Sequence, residues 1–316
     1  MQIMKLAYPL EQDQHFQTPV VLAMGFFDGV HLGHQNVIKR AKEIAQARGL
    51  PLAVLTYDHH PAIVYQQLTG DDARYLTLPD AKYQLFQKLG VDYVYEVNYD
   101  YDFQAQDPQT FVDNFIVRMG ASVVVAGFDH TYGKHDAAMP NLADYAQGRF
   151  TVETVSALLM DDKKISSTRV RRNLSDGHLE TVHRLLNRPF TISGTVVHGL
   201  ARGRTLGYPT ANIHYNDEQR MPPLGVYIVM MQINHQCYPG MASIGKNVTF
   251  GDQNPITLEV NLLDFERNIY GKRVQVQFLK KTRDEVKYEG EAALVRQLER
   301  DEQATRKFFQ SDKRNS

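Results

Sequence analysis

The hydrophobic pattern changes period once along this chain, at Asn187-Arg188-Pro189, and that change restricts the fold to two unlike parts. Upstream, short apolar runs alternate with stretches of helical spacing. Val20 to Met24 is an apolar run bounded by Thr18-Pro19 and Gly25, after which Val37, Ile38, Ala41, Ile44 and Ala45 recur at helical intervals up to Gly49. Leu52 to Tyr57 then reads as a strand, Pro79 to Leu89 as a helix closed by Gly90, and Val91 to Val97 as a strand. Asp107-Pro108 supplies an N-cap and first helical residue for a helix striped by Phe111, Phe115, Ile116 and Met119 and stopped by Gly120. Strands over Ser122 to Ala126 and Phe150 to Val155, with a helix around Leu142 to Ala146, continue the rhythm. Such alternation predicts an α/β fold, a doubly wound parallel sheet. Ser175 is expected to open one more helix, with Leu179, Val182, Leu185 and Leu186 on its apolar face.

Downstream of Pro189 the period is two. Thr191 to Val197, Gly225 to Asn234, Gln236 to Ile244, Pro255 to Phe265 and Arg273 to Lys280 follow one another with glycine and proline turns and no intervening helix. Closely spaced strands of this kind predict a small antiparallel β-barrel. Glu291 to Phe309 reads as a terminal helix, and Gln310 to Ser316 as a fraying end. A chain of 316 residues accommodates both cores. The expected domains are 1–186 and 187–316.

A net charge of -1 gives no support to a broad nucleic-acid surface, so anion binding has to be local. Cys237 is the sole cysteine, which rules out a disulfide within the chain and fits a reducing compartment. Neither a secretory leader nor an apolar run long enough to span a membrane is read, so a cytoplasmic protein without membrane partners is expected.

Local anion chemistry is concentrated in three places of the first part. Met24-Gly-Phe-Phe-Asp-Gly-Val-His-Leu-Gly-His34 carries an H-x-G-H tetrad, His31 to His34, between the apparent first strand and the helix after it. Helix N-termini favour anions, and imidazoles there add donors as phosphate charge develops. Gly25, Gly29 and Gly33 allow close backbone approach, and Asp28 adds a carboxylate on the same turn. Gly127-Phe128-Asp129 follows another apolar run. Ile165-Ser-Ser-Thr-Arg-Val-Arg171 opens a helix with hydroxyls and guanidinium groups matched to phosphate oxygens, although helix capping is the commoner use of a Ser-Ser-Thr triplet.

In the second part, His198-Gly-Leu-Ala-Arg-Gly-Arg-Thr-Leu-Gly-Tyr-Pro-Thr-Ala-Asn212 leads from glycine-rich chain into an extended P-T-A-N. Alternation sets Thr210 and Asn212 on one side, as hard oxygen donors suited to magnesium. Glu259 lies on the strand face opposite Leu258, Val260 and Leu262, where a carboxylate accepts a hydroxyl proton or simply faces solvent. No G-x-x-x-x-G-K-[ST] run occurs, so an ordinary P-loop is excluded.

Across nearly its whole length the sequence resembles the bacterial bifunctional riboflavin kinase/FAD synthetase family. In the first part the resemblance rests on Gly25 to Gln35, His60-Pro61 and Ile165 to Arg171. In the second it rests on Gly207 to Asn212, Pro223 to Tyr227, Ala242 to Asn247, Glu259, Leu263-Asp-Phe265 and Tyr270-Gly271. It implies a Rossmann-like nucleotidyltransferase domain followed by a riboflavin kinase barrel with a terminal helix. Riboflavin, FMN, FAD, ATP, ADP and pyrophosphate are the implied substrates and products, with Mg2+ as cofactor. By the same resemblance His31 and His34 are catalytic for adenylyl transfer and Glu259 is the base for phosphorylation. Gly25, Phe26, Asp28, Gly33, Asp129, Ser167, Thr168 and Arg171 bind nucleotide in the first site, and Gly207, Pro209, Thr210 and Asn212 in the second, where Thr210 and Asn212 also hold the metal. The chain departs from the family at His59, His130 and Tyr132 and in Lys134 to Ala138. Another H-x-G-H nucleotidyltransferase with an unrelated barrel, or a flavin-binding sensor or storage protein without turnover, are the competing readings.

Overall fold

The computed structural model describes residues 1–17, 19–133, 137–199, 202–246 and 256–312. Thr18, Lys134 to Asp136, Leu200, Ala201, Asn247, Pro255 and the last four residues, to which several sequence expectations refer, lie outside the described residues. The chain forms two compact units, Met1–Arg169 and Val170–Ser316.

The first unit is built on β1 (Gln2–Leu6), β2 (Val20–Met24), α1 (Leu32–Arg48), β3 (Leu52–Tyr57), α2 (Pro79–Leu89), β4 (Tyr93–Val97), α3 (Tyr101–Gln104), α4 (Pro108–Phe111), β5 (Ala121–Gly127), α5 (Met139–Ala146) and β6 (Thr151–Val155). A small hairpin, β7 (Leu159–Met160) and β8 (Lys163–Lys164), precedes α6 (Ser167–Ser175). The six main strands are all parallel, in the order β1-β4-β3-β2-β5-β6. Every residue of β2 is buried, because its two faces serve two cores. Val20, Leu22 and Met24 join Phe103, Phe111, Phe115 and Leu142 on one side, whereas Val21 and Ala23 meet Val37, Ile38 and Phe86 on the other.

Strand order places the site. The chain leaves β2 towards β3 on one side of the sheet, while β5 lies on the other side and continues to β6. The carboxyl ends of β2 and β5 therefore flank a topological switch point, where open parallel sheets bind ligands. The H-x-G-H turn follows the second strand of the sheet, not the first: β1 is an exposed edge strand paired only with β4, so its burial is partial and its sequence lacks a continuous apolar run.

Two helices differ from expectation. The helix begun at Pro108 widens into a π-helix over Val112–Val117, which lets Phe111, Val112, Phe115 and Ile116 all be buried. Ser175 ends α6 rather than opening the next helix, and the turn through Gly177, at φ +75°, separates it from α7 (Leu179–Leu186).

The second unit adds β9 (Phe190–Val197), α8 (Arg202–Thr205), β10 (Ala211–Tyr215), β11 (Gly225–Ile233), β12 (Gln236–Lys246), β13 (Ile256–Leu262), β14 (Arg273–Arg283) and α9 (Glu291–Asp312). Its six strands close a barrel in the order β10-β13-β12-β11-β14-β9, with every pairing antiparallel. α7 packs on this barrel, where His183 Nε2 lies 2.7 Å from the Phe278 carbonyl oxygen. The compact units divide after Arg169, within α6, although the helical pattern continues to Leu186. Helix α9 continues past Phe309, so Gln310 to Asp312 are helical.

Candidate functional sites

At the switch point the chain turns sharply between β2 and α1. A Cβ on Gly25 would come within 2.9 Å of the Phe27 ring, and Phe27, Gly29 and Val30 all have positive φ, at 58°, 81° and 40°. Strained backbone at two buried non-glycine residues is a mark of a functional turn. The strain turns Phe27 inward against His34 and Phe86, while Phe26 is half-buried and meets His60 edge-on at 5.2 Å. Asp28 is buried, and its Oδ1 accepts the backbone N–H groups of Leu76 at 2.9 Å and Thr77 at 3.2 Å.

His31 is the N-cap of α1, and its Nδ1 accepts the His34 backbone N–H at 3.2 Å. An accepting Nδ1 puts the ring proton of a neutral imidazole on Nε2. The His31 and His34 rings stack with centroids 3.6 Å apart. Gly33 makes room for this arrangement, since a Cβ there would lie 3.1 Å from the His31 ring and 3.5 Å from the Ile165 carbonyl oxygen.

The start of α6 joins the same turn. Ser167 Oγ donates to the Asp28 carbonyl oxygen at 2.9 Å, and Ser166 Oγ accepts the Arg169 N–H at 3.2 Å as a cap would. Thr168 is exposed, and Arg171 is half-buried one turn further along the helix. Asp129 is exposed beyond β5 and paired with Lys164, whose ammonium lies 4.6 Å from the centroid of the Phe128 ring. Nearby, His130 Nε2 is buried with no hydrogen-bond partner among the described residues, and burial pushes its pKa down to about 4. Tyr132 is buried against Phe111 at 5.5 Å.

The barrel carries a second constellation. Asn212 stands opposite Glu259 in the β10–β13 register, so the two side chains share a face. Thr210 Oγ1 donates to Glu259 Oε2 at 3.0 Å. Glu259 is half-buried on the face opposite the buried Leu258 and Val260. Thr210 and Pro209 also border a cavity of about 210 Å3 whose other walls include Leu262, Phe265 and Tyr270. Tyr270 stacks on His198 at 3.8 Å. Gly207 has φ +81°, a conformation that favours glycine where the chain turns into Pro209.

Several residues of these sites escape sequence reading. Asn261 Nδ2 donates to the Pro209 carbonyl oxygen at 2.8 Å, and its position two residues beyond Glu259 was the available signal. Tyr208 donates to Glu302 of α9 at 3.0 Å, and Arg306 links Glu302 to Asp264. Lys82 is buried under the β2–α1 turn. Its signal was a lysine in the apolar stripe of Tyr83 and Phe86.

Comparison with known proteins matches both parts. An FAD synthetase family model covers residues 13–169, and a riboflavin kinase model covers 186–309. A bifunctional riboflavin kinase/FMN adenylyltransferase of Listeria monocytogenes is 46% identical over 98% of each chain, and its Bacillus subtilis counterpart is 37% identical over 98% of each. A solved structure described as a macrolide-efflux protein from Streptococcus pneumoniae has a TM-score of 0.89 at 36% identity, covering 96% of this chain and 98% of that one. No helix among the described residues is long and apolar enough to cross a membrane.

Proposed function

The chain belongs to the bifunctional riboflavin kinase/FMN adenylyltransferase family, and from that premise we propose how the two activities are divided over its residues. It phosphorylates riboflavin with ATP to give FMN and ADP, and joins FMN to the adenylyl group of ATP to give FAD and pyrophosphate. Adenylyl transfer belongs to 1–186 and phosphorylation to 187–316. What carries this division is the separation of two phosphate-handling constellations, the stacked His31–His34 pair at the switch point and the Thr210–Glu259 bond on the barrel.

In adenylyl transfer a phosphate oxygen of FMN attacks the α-phosphorus of ATP, the bond to the bridging oxygen breaks, and pyrophosphate leaves. Charge builds on oxygens during this exchange, so catalysis consists of positioning and neutralisation. His31 presents its Nε2–H while Nδ1 stays engaged with the helix, and His34 is stacked beside it. Gly25, Phe26 and Gly33 let the nucleotide approach the backbone, and Asp28 holds the turn through Leu76 and Thr77. Ser167, Thr168 and Arg171 take phosphate oxygens, with Asp129 at the edge of the nucleotide site.

In phosphorylation the terminal ribityl hydroxyl attacks the γ-phosphorus, Glu259 receives its proton, and ADP leaves. Gly207 and Pro209 shape the approach to the nucleotide. Thr210 and Asn212 offer hard oxygen donors beside Glu259, and such donors fit magnesium. The described residues contain no cluster of three His, Cys, Asp or Glu side chains able to hold a metal. In this reading a magnesium ion held by Thr210 and Asn212 would neutralise phosphate charge. The unpaired, exposed Cys237 supports a cytoplasmic location.

Assaying both products in each variant tests the division. His31→Ala should slow FAD formation by about 100- to 1000-fold, the scale of losing a transition-state donor, and leave FMN formation nearly intact. Glu259→Ala should slow FMN formation by about 100- to 10,000-fold and spare the adenylylation of supplied FMN. Loss of both activities in either folded variant would sink the proposal.

A further inference from the structure

Lys82 has no part in the chemistry described above, yet it is 3% exposed and directly beneath the nucleotide turn. From the first full turn of α2 its Nζ donates to the Tyr57 carbonyl oxygen at 3.1 Å, to Thr56 Oγ1 at 3.2 Å and, at 3.5 Å, to the carbonyl oxygen of Phe26. Thr56 Oγ1 itself donates to that Phe26 carbonyl at 3.0 Å. The Phe26 and Tyr83 rings lie 5.2 Å and 5.8 Å from the ammonium. Every hydrogen-bond acceptor of Lys82 is therefore neutral, and among the described residues no carboxylate forms an ion pair with it.

A buried ammonium without an ion-pair partner is expensive, and a hydrophobic side chain of similar volume would normally fold as well or better. The charge sits where the carboxyl ends of β2 and β3 meet. A site receiving the phosphates of both ATP and FMN gains from a positive charge that solvent does not screen.

We propose that Lys82 is an electrostatic positioning residue for adenylyl transfer, which fixes the Phe26 carbonyl at the base of the nucleotide turn and sets a buried positive charge beneath the triphosphate. This rests on the assignment of adenylyl transfer to the first unit. Burial lowers the Lys82 pKa to about 8, partly opposed by Glu96 on β4, Asp28 on the β2–α1 turn and Asp58 after β3. On α2 itself Asp80 and Lys88 are the neighbouring charges, and Glu96 is paired with Lys5 of β1 at 3.5 Å. A lowered lysine pKa means that the charge is present below about pH 8 and lost above it.

The test uses the full chain with Lys82→Met and Lys82→Arg, measuring FAD formation from FMN, FMN formation from riboflavin, and thermal unfolding. Lys82→Met should melt no lower than the parent while kcat/KM for FAD formation falls about 10- to 100-fold at neutral pH, and FMN formation should stay within about twofold. The parent's FAD formation should decline above about pH 8, and that decline should be absent in Lys82→Met. Lys82→Arg should retain most of the activity and carry the decline to higher pH, because the guanidinium does not titrate there. Unchanged FAD kinetics in Lys82→Met, or a folded Lys82→Arg as slow as Lys82→Met, overturns the proposal. A Lys82→Met chain that melts lower and loses both activities overturns it as well, since the lysine would then be a structural strut. If the parent itself makes no FAD, the underlying assignment fails instead.

Discussion

Single residues in the first site use side-chain atoms to hold the backbone of the turn. His31 uses Nδ1 to cap α1, and Gly33 is dictated by that ring, because a Cβ there would press on it at 3.1 Å. Asp28 shows the same economy on its Oδ1, which takes two backbone amides. Asp28→Ala should lower stability by about 1–3 kcal/mol, since two buried N–H groups lose their acceptor. Asp28→Asn keeps an acceptor oxygen there and should recover part of the loss, as chemical denaturation of the two variants would measure. The sequence already marked His31, Gly33 and His34 as a set. It did not show which His31 ring nitrogen caps the helix, because that follows from the helix geometry.

Among the elements, α9 is the one whose role the sequence left open. Its apolar positions said that it packs on something. In the structure Glu302 accepts from Tyr208 at 3.0 Å, and Arg306 pairs with Glu302 at 2.8 Å and in a fork with Asp264 at 2.7 Å and 2.9 Å. Tyr208 adjoins Pro209, and Asp264 adjoins Phe265, so the helix ties together two segments that wall the barrel's cavity. Asp264 is solvent-exposed and Arg306 half-buried, and ion pairs so open to solvent contribute little to stability. Arg306→Ala should therefore leave the melting temperature nearly unchanged while raising KM for the kinase substrates several-fold, a split that steady-state kinetics beside thermal unfolding would read. The π-helix over Val112–Val117 is a second case. Periodicity predicted a helix there, but only the need to bury four neighbouring apolar side chains widened its turns.

At the scale of the whole molecule each unit has its own core, and a defect in one core should appear first in that unit's activity. Phe111 is fully buried among Phe103, Phe115 and Tyr132. Phe111→Ala should destabilise the parallel-sheet unit by about 3–5 kcal/mol, the usual loss on emptying a buried aromatic site. FAD formation should then fail on heating at a lower temperature than riboflavin phosphorylation. Activity–temperature curves for both products from one preparation would reveal it. Equal shifts of the two curves would contradict separate cores.

The sequence by itself determined the two architectures and, through its resemblance, the pair of activities. Hydrophobic period is a local property, so α/β alternation up to Leu186 and period-two runs after Pro189 were legible residue by residue. The H-x-G-H turn was legible for the same reason, whereas the strand expected through Pro209-Thr210 begins only at Ala211. Only the tertiary structure decided which core each element serves. It added β1 at the sheet edge, ended α6 at Ser175, placed α7 on the barrel, set Asn212 opposite Glu259 and buried Lys82 beneath Phe26. Those are contacts between residues distant in the chain, and neither composition nor spacing carries the register or strand order that creates them.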